Sequence, residues 1–105
     1  MMDTSVKFLH LRSKEWIVCR DGLPREQYKR TGGITVMYKV SPRHIDYAFA
    51  QCSKKDAYSK KLGREVCELR MAYEDQFTGR IVRSLGRVSP RQQVLADLAN
   101  VWGIV

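Results

Sequence analysis

An α+β fold is predicted: a small antiparallel sheet of three to four strands packed against one long helix and a shorter C-terminal helix. Three observations predict it. Apolar and polar residues alternate with the period of a strand through much of the first half, most regularly from Ile34 to Val40 (ITVMYKV). From Ser53 onward the apolar residues recur every three or four positions, the period of a helix. Ser89-Pro90-Arg91-Gln92 then places a serine cap, a proline at the first helical position and a glutamine at the third, which starts a second helix.

Taken in order, Val6, Phe8 and His10 share one face of a first strand, and Glu15 to Arg20 gives a second. Asp21-Gly22-Leu23-Pro24 punctuates the chain, and the polar stretch up to Gly32-Gly33 reads as a long loop or open hairpin. Ile34, Val36, Tyr38 and Val40 form the apolar side of the next strand. Ser41-Pro42-Arg43 turns the chain, and Ile45, Tyr47 and Phe49 continue in an antiparallel partner.

A long helix is expected from Ser53 to Tyr73, with Ser53 as N-cap and Asp56 completing an acidic variant of the capping box. Tyr58, Leu62, Val66, Leu69 and Tyr73 recur at intervals of four, four, three and four, a core-facing stripe. Gly63 sits beside it and suggests close approach of a strand or ligand. Glu74 to Gly79 breaks the helix, and Arg80 to Arg87 (RIVRSLGR) is too short and mixed to assign. Val94, Leu95, Leu98, Val101 and Trp102 give the C-terminal helix its apolar face, and Gly103 ends it.

The chain has 105 residues, of which 44% are hydrophobic and 10% aromatic, enough for one core, so residues 1–105 are expected to form a single domain. No apolar run suits a signal peptide or a membrane span, which predicts a cytoplasmic protein without membrane contact. Cys19, Cys52 and Cys67 are odd in number, widely spaced and outside any CxxC pair, as in a reducing compartment.

Net charge is +8, and it is concentrated: residues 20–64 hold eleven positive and four negative side chains, whereas residues 65–79 are net negative. Segregated positive charge is the electrostatic footprint of polyanion binding. Three segments carry it. At the expected helix start, Ser53, Lys54 and Lys55 surround free backbone N–H groups suited to a phosphate, and Lys60, Lys61 and Arg64 extend the positive face. In the loop, Arg25, Lys29 and Arg30 flank Tyr28, a combination suited to phosphates and one stacked base. Arg80, Arg83 and Arg87, followed by Arg91, form a third basic run. The alternative for the helix is a solvated face carrying Lys61–Glu65 and Arg64–Glu68 pairs at i,i+4, and for the loop a solubilising surface.

Catalysis is not expected. Asp46, Asp56, Glu65 and Glu68 lie among lysines without the spacing of a metal site, and the cysteines with His10 or His44 lack paired zinc-ligand spacing. Neither metal nor cofactor is predicted, and glycine patterns for nucleotide binding are absent. The expected partner is nucleic acid, DNA or RNA; the alternative is a host protein with an acidic surface.

A strand followed by Asp56, Tyr58, Ser59, Lys60, Lys61, Gly63, Arg64 and, closing the segment, Arg70 resembles a pattern in small proteins of tailed bacteriophages. Cys67 stands where that pattern has a small alanine. The resemblance covers residues 45–70 and implies a phage or mobile-element origin, with action on host or phage nucleic-acid machinery in the host cell cytoplasm.

Overall fold

A computed structural model describes residues 5–84 and 86–104. Six strands and two helices follow one another: β1 (Ser5–Leu11), β2 (Lys14–Val18), β3 (Pro24–Tyr28), β4 (Thr31–Val40), β5 (His44–Ala57), α1 (Lys60–Ala72), β6 (Thr78–Val82) and α2 (Pro90–Trp102). The main sheet is antiparallel in the order β1-β4-β5-β6, and β2 with β3 forms a separate hairpin between β1 and β4. The α+β class holds, with β6 as the strand that supplies the fourth position.

The β4–β5 hairpin is the spine of the molecule, paired from Ile34↔Gln51 to Val40↔Ile45. Alternation sends Leu9, Val36, Tyr38, Ile45, Tyr47 and Phe49 to one face, where they cluster with Val94 and Leu98 of α2. The Trp102 indole N–H donates to the Tyr47 hydroxyl at 2.8 Å, and that hydroxyl donates to Asp97, so the sheet and α2 are tied at a half-buried polar point. Burial first, then the Asp97 bond, pushes the Tyr47 pKa up to about 12. The predicted start of α2 is present in full. Ser89 accepts from the Gln92 N–H at 3.2 Å, the Gln92 side chain accepts from the Ser89 N–H at 3.0 Å, and Gly103 closes the helix in the left-handed conformation. Val101, assigned to the apolar face, is instead exposed.

The opposite sheet face presents Thr35, Met37, Ala48 and Ala50, and α1 lies on it. Here the structure corrects the sequence reading in three ways. First, the long helix does not begin at Ser53. Residues 53–57 remain in β5, because Thr31 pairs with Ala57 and the Tyr58 N–H donates to the Arg30 carbonyl at 2.8 Å. Sheet pairing uses the backbone groups that a helix would need. The N-cap is Ser59, whose hydroxyl accepts from the Leu62 N–H at 3.1 Å. Asp56 therefore has no place in a capping box, and α1 is no longer than α2 at 13 residues each.

Second, most of the assigned stripe faces outward: Leu62, Leu69 and Tyr73 are 59%, 58% and 80% exposed, and only Tyr58 and Val66 are half-buried. The helix meets the sheet through Gly63 and the fully buried Cys67, whose thiol donates to the Thr35 carbonyl at 3.2 Å. Burial pushes the Cys67 pKa up to about 11. A Cβ on Gly63 would lie 2.2 Å from Thr35 Oγ1. That close approach leaves no room for a row of leucines between helix and sheet. Third, Tyr58 precedes α1, and its ring covers Gly33, where a Cβ would come within 2.8 Å of it.

The polar stretch expected as a long loop or open hairpin is the second arm of a hairpin: it contains β3, held by β2 from Lys14↔Tyr28 to Val18↔Pro24. Between Gly33↔Cys52 and Thr31↔Ala57 the ladder advances two residues on β4 and five on β5. This bulge lifts Ser53 to Asp56 over the glycines, with Gly32 and Gly33 at φ 72° and 117°.

Candidate functional site

The bulge, the β1–β2 junction and the β3–β4 turn enclose an open groove of about 670 Å³. Its walls carry Arg12, Lys14, Lys29 and Lys54, and no acidic residue lines it among the described residues. The four cations arrive from three places in the sequence. Arg12 follows β1 and Lys14 opens β2, Lys29 sits in the β3–β4 turn, and Lys54 rides on the bulge of β5.

Arg12 is the organising side chain. Its guanidinium lies 4.7 Å from the centroid of the Tyr58 ring and 5.4 Å from that of Tyr28, and it donates to the Lys29 carbonyl at 2.7 Å. Among the described residues its buried Nε meets no acceptor and no carboxylate pairs with it, so the group is held by rings and a carbonyl. Lys14 Nζ is 5.0 Å from the Tyr28 centroid and 3.8 Å from Glu26, an exposed pair of little energetic weight.

Behind the groove, the Tyr58 hydroxyl is within 2.8 Å of His10 Nδ1 and 2.9 Å of Thr35 Oγ1. Burial, followed by the positive charges of Lys60, Arg64 and Arg12, holds the His10 pKa below its ordinary value. The same interactions place the first turns of α1 within electrostatic reach of the groove.

Of the residues singled out in the sequence, Tyr28, Lys29 and Lys54 line the groove directly. Arg30 adjoins it through its carbonyl bond to the Tyr58 N–H. Lys60 and Arg64 act on His10 beside it, and Lys61 is exposed one position further on. Ser53 and Lys55 lie on the exposed bulge, where the Ser53 hydroxyl accepts from the Lys55 N–H at 3.3 Å. They belong to a strand, so the expected anion site at a helix N-terminus does not form there. Among the described residues Lys61–Glu65 and Arg64–Glu68 form no ion pair, leaving those cations to solvent.

Other cations lie outside the groove. Arg25 is paired with Asp21 at 3.0 Å. Arg80 pairs with Asp46 at 2.6 Å, on β5 six residues from Cys52 and about 20 Å away at the rise of a strand. Arg83 donates to the Ser41 carbonyl at 3.3 Å and lines, with Lys7 and Arg91, a separate hollow beside α2. Arg87 is exposed beyond β6. The arginine run thus belongs to the far end of the sheet.

The sequence does not mark His10, Arg12, Lys14 and Tyr58 as site residues. Their partners are distant in sequence, 48 positions for His10 with Tyr58 and 17 for Arg12 with Lys29, so no local pattern signals them. Cys19, Cys52 and Cys67 are free thiols. No helix among the described residues is long and apolar enough to cross a membrane.

Comparison with protein-family models, curated proteins and solved structures returns no match.

Proposed function

We propose that the protein binds nucleic acid without catalysing a reaction, holding phosphates along the groove with Arg12, Lys14, Lys29 and Lys54 and extending the contact over Arg30, Lys60 and Arg64. The observation that carries this reading is the convergence of cations from separate segments on a concavity that no carboxylate lines among the described residues. The phage-type pattern supports a phage-encoded protein working in the host cytoplasm. Titration with labelled DNA and RNA, single- and double-stranded, tests the reading: affinity is expected to fall steeply as salt rises, because bound phosphates release counterions. Absence of binding to all four at low salt overturns it.

A second reading is a regulator that docks on an acidic surface of a host protein. One observation favours it: Leu62, Leu69 and Tyr73 are exposed in one row along α1, an apolar surface of a kind a phosphodiester does not require, and Lys61 and Arg64 are exposed on other faces of the same helix. A partner retained from nuclease-treated host lysate, and lost on Leu69→Asp, supports this reading over the first.

A further inference from the structure

Tyr28 differs from the other tyrosine of the site. Tyr58 is anchored through its hydroxyl to His10 and Thr35, whereas the ring of Tyr28 is 52% exposed at the groove wall. Its position is nevertheless fixed. Gly33 lets the Tyr58 ring lie against the backbone, Arg12 packs on that ring and on Tyr28, and Lys14, the cross-strand neighbour of Tyr28, adds a second cation. A tyrosine held in place and still half exposed is a preformed surface for another planar group, and little side-chain freedom is lost when one stacks there.

Shape narrows what that group belongs to. A duplex presents a convex cylinder with its bases stacked inside, and proteins read it by projecting an element into a groove. Here the walls are the segments 10–14, 28–34 and 51–54, and they enclose a hollow. A volume of about 670 Å³ is in the range that receives small molecules or a nucleotide or two. Bases reach such a hollow when they are already unpaired.

Resting on the nucleic-acid reading above, we infer that the groove takes a single strand, with one base stacked on Tyr28 and the adjoining phosphates held by Arg12, Lys29 and Lys54. The stacked base makes recognition tolerant of sequence, since every base offers a π face. Duplex binding is limited to phosphate contacts along the rim.

Fluorescence anisotropy with a labelled oligonucleotide of about ten nucleotides, alone and annealed to its complement, tests the inference on the full chain. The single strand is expected to bind at least about tenfold more tightly. Tyr28→Ala weakens single-strand binding by about 5- to 100-fold and duplex binding by less than about threefold, through the loosened Arg12 and Lys14, while Tyr28→Phe keeps both. Tyr28→Leu preserves apolar cover on the hairpin and is expected to lose single-strand affinity like the alanine variant, with an unchanged far-ultraviolet dichroism spectrum. Equal affinity for the two forms, or parental single-strand binding by Tyr28→Leu, overturns the inference. If Lys54→Glu still weakens binding in that case, the cationic groove stands without the stacked base. Absence of all binding by the parent chain overturns both readings.

Discussion

Gly63 sets how closely α1 approaches the sheet. Its missing side chain lets the Thr35 side chain rest against the helix backbone, and one turn later Cys67 continues the contact with its thiol on the Thr35 carbonyl. A single methyl added at Gly63 would overlap both Oγ1 and Cβ of Thr35, at 2.2 and 2.8 Å, and Thr35 is itself fixed by its bond to Tyr58. Helix propensity favours Ala over Gly by about 1 kcal/mol, whereas overpacking a close contact costs about 1–3 kcal/mol or more, so the steric effect wins. Gly63→Ala is therefore expected to lose about 2 kcal/mol of stability in urea denaturation, despite the better helix former. A gain in stability would show that α1 can move away from Thr35 without loss.

The boundary between β5 and α1 shows how competing elements are decided. Two serines precede lysine-rich turns, and each can cap a helix; Ser59 prevails because Ala57 pairs with Thr31 and the Tyr58 N–H donates to the Arg30 carbonyl, so a helix begun at Ser53 could not continue through them. Ser59→Ala is expected to cost about 1 kcal/mol, while Ser53→Ala changes stability by less than about 0.5 kcal/mol; thermal melts of the two variants separate the alternatives. Elements with local signatures could be read from the sequence. The alternation of Ile34 to Val40 reports a strand with one buried face, and the Ser89, Pro90 and Gln92 pattern reports a cap satisfied within four residues. The remaining elements depend on distant partners. β3 (PREQY) is polar and is held by pairing with β2, β6 is held by β5, and the face α1 buries is set by small residues on the sheet. The site follows the same division. Tyr28, Lys29 and Lys54 stand out as charge beside an aromatic or lysine run, but Lys14 joins them only when β2 and β3 pair, and His10 and Arg12 only when β1 and β4 bring the strand ends together.

At the scale of the whole molecule, positive charge is divided between the two ends of the β4–β5 spine. At the far end Arg80 is neutralised by Asp46 and Arg83 is engaged with the Ser41 carbonyl. At the near end Arg12, Lys60 and Arg64 surround His10, which also faces Tyr58 and Thr35, and no carboxylate forms an ion pair with those three cations among the described residues. This arrangement couples binding to protons. In the free protein burial and the three cations keep His10 neutral to a lower pH than usual. A His with a depressed pKa favours the folded state above its unfolded value and loses that contribution as pH falls through the folded one. A bound polyanion reverses the field that the cations impose, so the His10 pKa rises in the complex and binding takes up a proton. Affinity is therefore expected to increase as pH falls from about 7 toward 5, by about tenfold for each unit by which the complex raises the pKa. Anisotropy titrations at fixed ionic strength across this range measure it. His10→Gln, which keeps a polar partner for Tyr58 but cannot titrate, is expected to flatten the dependence while leaving neutral-pH affinity near the parent value. A pH dependence that persists in His10→Gln would assign the proton to another group, and a flat parent profile would mean that the bound phosphates lie too far from Arg12, Lys60 and Arg64 to alter the field at His10.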